Sequence, residues 1–126
     1  MKLLLDTHAL LWWGEDDPRL GKKARAAIVK YGAYVSLVSA WELAIKVSLG
    51  KLRLTRSVER YFSEQLLDSS LTPLPIELRH IAFVETMPHH HGDPFDRLLS
   101  AQATLLGLTM VSADRVFREY KLKRLW

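Results

Sequence analysis

The chain has 126 residues, with 18 Lys and Arg against 14 Asp and Glu and a formal net charge of +4. That length suits a single domain, residues 1–126, able to bury a core without covalent staples. The absence of cysteine excludes a disulfide framework and a thiolate metal centre, and the modest positive balance suits a polyanionic partner without naming one.

Residues 2–5 are a short apolar run that meets Asp6, as expected of a fully buried strand. The run is too short for a signal-peptide core or a bilayer span, and no other stretch approaches that length, so a cytoplasmic protein away from membranes is expected. Residues 7–13 read as an apolar helix. Asp16-Asp17-Pro18 breaks the chain, and a basic helix over 22–30 is closed by Gly32. Residues 34–37 are β-branched and aromatic, a strand. The helix that follows, over 39–47, stops at Gly50.

A further amphipathic helix is expected over 57–67, a weak strand interrupted by Pro73 over 71–74, and a helix over 76–85. After the loop at 87–92, Asp93-Pro94 opens a long helix that runs to Leu106 and stops at Gly107. Residues 108–111 read as a buried strand, 114–120 as a short helix and 122–126 as a terminal strand. Strands alternating with helices predict an α/β domain around a mainly parallel sheet, whose site lies beyond the carboxyl ends of the strands.

Four acids fall at places such a sheet would bring together. Asp6 follows the first strand, Glu42 lies early in the helix after the second, Asp96 opens the long helix, and Asp114 follows the strand at 108–111. Each has a structural reading as well. Asp6 and Asp114 suit chain turns or caps, Ser39-x-x-Glu42 matches a capping box, and Asp96 favours the helix dipole. Two features favour a shared site. Ser39, Glu42 and Lys46 form one polar stripe on an otherwise apolar helix, as Asp96, Ser100 and Thr104 do on theirs. A cluster of carboxylates also needs protons or divalent cations, because two of them about 4 Å apart repel by roughly 4 kcal/mol at an effective dielectric near 20.

All-oxygen donors favour Mg²⁺ or Mn²⁺ over zinc, and such ions promote in-line hydrolysis of a phosphodiester by activated water. Adjacent His89, His90 and His91 cannot all face one ion, and they read as a solvated or substrate-facing loop. Trp12, Trp13 and Trp41 read as core or interface ahead of base stacking. Of the basic residues that would track phosphates, Lys46 stands out because it shares Glu42's stripe. Arg97 could do the same or equally pair with a neighbouring acid. A non-catalytic RNA-binding module, with the acids as caps, is the alternative. A haloacid-dehalogenase-type phosphatase would need a second acid where His8 stands.

The chain resembles the PIN-domain family, specifically the VapC-like toxin ribonucleases of bacterial toxin–antitoxin pairs. The resemblance rests on Leu5-Asp6-Thr7-His8, Ser39-Ala40-Trp41-Glu42, Gly92-Asp93-Pro94-Phe95-Asp96-Arg97 and Ser112-Ala113-Asp114, in that order. It implies a three-layer α/β/α sandwich and metal-dependent endoribonuclease activity, with transfer RNA as the substrate the family suggests. It also implies a cognate antitoxin and a homodimer. Matched residue by residue, Asp6, Glu42, Asp96 and Asp114 are the acidic positions and Asp93 an outer candidate. Ser112 stands where many relatives carry threonine, either hydroxyl being able to bond a metal-bound water.

Overall fold

Leu3, Leu4 and Leu5 form β1 (Leu3–Leu5), and all three are buried. A strand covered on both faces reads as an unbroken apolar run rather than an alternating one. The alternation appears instead in the packing. Leu3 and Leu5 join a core with Ala9, Leu10, Ile28 and Val35, while Leu4 points the other way, toward Val38, Leu99, Met110 and Phe117. Two cores on opposite faces of one sheet make the three-layer sandwich.

The computed structural model describes residues 1–90 and 92–126. After β1 come α1 (Thr7–Gly14), α2 (Lys22–Tyr31), β2 (Ala33–Ser36), α3 (Leu37–Ser48) and α4 (Val58–Gln65). They are followed by β3 (Leu71–Leu74), α5 (Leu78–Val84), α6 (Pro94–Leu106), β4 (Thr109–Val111), a 3₁₀ helix (Arg115–Tyr120) and β5 (Arg124–Leu125). Among the described residues five strands form one sheet in the order β3-β2-β1-β4-β5, every pair parallel. The chain lays β2 and β3 on one side of β1, then crosses to lay β4 and β5 on the other. The order therefore reverses between β1 and β4, and a parallel α/β sheet opens a crevice at such a point.

Several boundaries differ from those expected. β2 ends at Ser36 because the Ser36 hydroxyl accepts from the Val38 amide at 3.0 Å, so helix begins at Leu37 with no intervening loop. The helix expected from residue 76 begins at Leu78, and the terminal strand is confined to Arg124–Leu125, where β4 offers partners. The short helix after Asp114 is 3₁₀. His90 sets its ring edge-on to Tyr120 at 5.2 Å, whereas His91 lies outside the described residues.

Gly32 ends α2 with φ +70° and ψ −179°, a backbone region that only glycine occupies without strain. A Cβ there would also stand 2.9 Å from the Ser70 carbonyl oxygen, which accepts from the Ala33 amide as β2 meets β3. Gly32→Ala is expected to lower stability by about 1.5 kcal/mol. Urea unfolding checks this, and an unchanged midpoint would contradict it.

Candidate active site

Every strand end at the β1–β4 reversal carries a side chain that ties the next element down. Asp6 caps α1, its Oδ1 accepting from the Ala9 amide at 2.8 Å while Oδ2 accepts from the Ser112 hydroxyl at 2.5 Å. Ser112 follows β4, and its Oγ also accepts from the Asp114 amide at 2.9 Å. Asp114 in turn caps the 3₁₀ helix through Oδ1, which accepts from the Val116 amide at 2.9 Å. One buried hydroxyl thus links the acid after β1 to the acid after β4. Asp93 caps α6, again through Oδ1, and Asp96 sits in that helix's first turn. For Asp93 and Asp114 the capping bonds occupy Oδ1, so the structural role leaves the second oxygen for other work.

Glu42 reaches the same place from α3. It is buried, accepts from the Thr7 hydroxyl at 2.6 Å on Oε1, and pairs with Lys46 Nζ at 2.6 Å on Oε2. Ser39 Oγ stands 3.1 Å from that same threonine hydroxyl. The polar stripe of Ser39, Glu42 and Lys46 is therefore aimed at the start of α1. The capping-box reading of Ser39 and Glu42 is overturned: α3 begins before both residues and is capped by Ser36. Thr7 is the site residue that sequence reasoning missed. Its signal was position, a hydroxyl directly after the acid that closes a buried strand.

Asp6, Glu42, Asp93, Asp96 and Asp114 line one cavity of about 400 Å³, together with Thr7, His8, Trp12, Lys46 and Ala113. The four principal acids predicted from sequence are thus brought together, and Asp93 and Lys46 with them. Ser112 and Ser39 stand behind the wall, bonded to the residues that face it. Burial pushes the Asp6 carboxyl up from 3.8 to about 6, against the lowering effect of the Ser112 and Ala9 bonds. The charges of Glu42 and Asp114 push the same way as burial.

Such a donor set, all oxygen and with one acid already disfavoured as an anion, fits a hard divalent cation. No three of the described His, Asp or Glu side chains stand close enough to hold an ion unaided. Arg97 takes no part in the cavity wall. Instead of pairing with an acid it is buried, donating to the carbonyls of Pro88 at 2.9 Å and Val84 at 3.2 Å and to the Tyr120 hydroxyl at 3.2 Å. It ties the loop before α6 to the helix that carries Asp96.

No helix among the described residues is long and apolar enough to cross a membrane. The chain is 29% identical to Ribonuclease VapC22 of Mycobacterium tuberculosis over 126 residues, covering 97% of this chain and 94% of that protein. Its fold is similar to that of VapBC from Salmonella typhimurium, solved bound to DNA, with a TM-score of 0.71, 16% identity and coverage of 99% and 97% of the two chains. It is also similar to VapBC2 from Rickettsia felis, solved with a promoter DNA fragment, at a TM-score of 0.70 and 13% identity over 99% and 98% of the chains. The sequence matches the PIN domain over residues 3–123, and with the parallel sheet and the acids gathered at its reversal point, this chain belongs to the PIN-domain family.

Proposed function

We propose that this chain is an Mg²⁺- or Mn²⁺-dependent endoribonuclease, the toxin of a toxin–antitoxin pair, hydrolysing RNA phosphodiester bonds with activated water. The observation that carries the reading is the gathering of Asp6, Glu42, Asp96 and Asp114 around one cavity from four separate parts of the chain. The similarity to Ribonuclease VapC22 supports the choice of RNA. A divalent ion would be held by Asp6 and Asp96, with Glu42 and Asp114 acting directly or through water. When bound it would polarise the phosphate, lower the pKa of water and stabilise the leaving oxygen.

The chain's own residues supply the rest. Ser112 and the Ala9 amide hold Asp6 in one rotamer. Thr7 holds Glu42 across the helix interface, and Lys46 places a cation at the rim where a phosphate approaches. The alternative, a binding module whose acids serve only as caps, accounts for the Oδ1 bonds but not for burying Asp6 beside two other carboxylates. RNA cleavage assayed with Mg²⁺, Mn²⁺ or chelator decides between them. Cleavage that needs the ion is expected; no cleavage with either ion would favour the binding module, and cleavage persisting in chelator would overturn the metal-dependent reading.

Two protein partners belong to the same proposal. The first is a cognate antitoxin, supported by the VapBC complexes among the structural neighbours; a basic side chain from it among the carboxylates would offset their charge. A second copy of the chain would cover the apolar face where Trp41, Leu78 and Ile81 are 45%, 81% and 52% exposed, beside a groove lined by Ile76, Val84 and Leu98. Light scattering should find a dimer that Ile81→Asp makes monomeric; a wild-type monomer would contradict this.

A further inference from the structure

The cavity has one wall that the carboxylates do not explain. His8 and Trp12 are four apart on α1 and so share a helix face. Their rings stack with centroids 5.5 Å apart and planes inclined by only 14°, and both line the cavity. Two further contacts hold the indole. Trp126 meets it edge-on at 5.5 Å, and the Arg19 guanidinium lies 5.1 Å from its ring centre while bound to Asp17. Trp12 is half-buried, whereas His8 is exposed. Trp126, Trp12 and His8 thus form a chain of ring contacts that ends in an exposed ring lining the acidic cavity.

We propose that this stack is a nucleobase subsite, in which an unpaired base next to the scissile phosphate lies against the His8 ring. The proposal rests on the ribonuclease reading and adds to it what holds the substrate beside the acids. A wall rich in carboxylates repels the phosphate backbone, so affinity near the reacting centre must come partly from contacts without charge. Stacking is such a contact, and it accepts any base because every base has a π face. A core role does not account for His8, which is exposed.

Binding of a short, unstructured, end-labelled RNA in chelator, read by fluorescence anisotropy, tests the subsite without requiring cleavage. His8→Ala is expected to raise Kd about tenfold, and His8→Phe, which restores a flat ring, to return it to within about twofold of wild type. With metal present, the same loss should appear in KM more than in kcat. Scanning one abasic nucleotide along the RNA should find a position that costs the wild type about tenfold and costs His8→Ala nothing further.

Equal affinity of wild type, His8→Ala and His8→Phe would overturn the subsite, as would an abasic penalty that persists in His8→Ala. Should His8→Ala fail to fold, the abasic scan on wild type and His8→Phe still decides, since a flat profile in both overturns the proposal. A wild type that binds RNA with this signature but fails to cleave it with either Mg²⁺ or Mn²⁺ would defeat the ribonuclease reading and leave the subsite standing.

Discussion

Asp6→Asn is expected to remove RNA cleavage and, at the same time, to stabilise the metal-free protein at neutral pH. The loss of activity should be on the order of a thousandfold or more, the scale for losing a preorganised electrostatic contact at a reacting centre. The gain in stability follows from the burial of Asp6 beside Glu42 and Asp114. Its folded-state pKa of about 6 lies above the ordinary 3.8, so between these values the native state binds more protons than the unfolded state. Stability therefore falls as pH rises through that window, and above it the cost of the buried anion is fully present, about 3 kcal/mol for a displacement of this size.

Asparagine removes the charge and keeps an oxygen for the Ala9 amide, while the Ser112 hydroxyl loses its carboxylate acceptor. The net gain should be about 2 kcal/mol at neutral pH and vanish near pH 4, as aspartate begins to be protonated in the unfolded state as well. Urea unfolding of the two proteins across that range measures it. A variant destabilised equally at both ends of the range would mean that Asp6 is a cap and nothing more.

Lys46→Met has the opposite signature. Glu42 is 7% exposed along its side chain and Lys46 33%, so the pair is largely buried on the acid's side. Methionine keeps the apolar stem but leaves Glu42 with only the Thr7 hydroxyl. Breaking a fully buried pair costs about 3–5 kcal/mol; with the ammonium a third exposed, about 2 kcal/mol is expected, a fall in Tm of roughly 8 °C. A divalent cation bound beside Glu42 would replace the missing charge, so Mn²⁺ should raise the Tm of Lys46→Met more than that of the wild type. Equal gains would show that the ion sits away from Glu42.

Much of this arrangement was readable from residues close in sequence. An apolar triplet ending in Asp6 is a buried strand with an acid at its carboxyl end, and Asp93-Pro94 marks a helix start whose first turn carries Asp96. What local reading missed depends on distant partners. Ser36 and Ser39 both suit an N-cap, and the choice between them is made in part by Gln102, whose Oε1 accepts from the Ser36 hydroxyl at 2.6 Å across 66 positions. Once Ser36 caps α3, Glu42 falls inside the helix and needs another partner, which Thr7 supplies from 35 positions away. Arg97 follows the same rule. Next to an acid in sequence, it serves the carbonyls of a loop that only the tertiary fold brings near. The stack on Trp12 likewise needs the C-terminal Trp126, which no local pattern places beside α1.

The gathered acids should act as one ion site, and calorimetric titration with Mn²⁺ tests that most directly. Wild type should bind the ion and release protons near pH 6, as the Asp6 carboxyl is held ionised. Asp6→Asn and Asp96→Asn should each abolish that binding, with the double variant no worse than either alone. Undiminished Mn²⁺ affinity in both single variants would contradict a shared site.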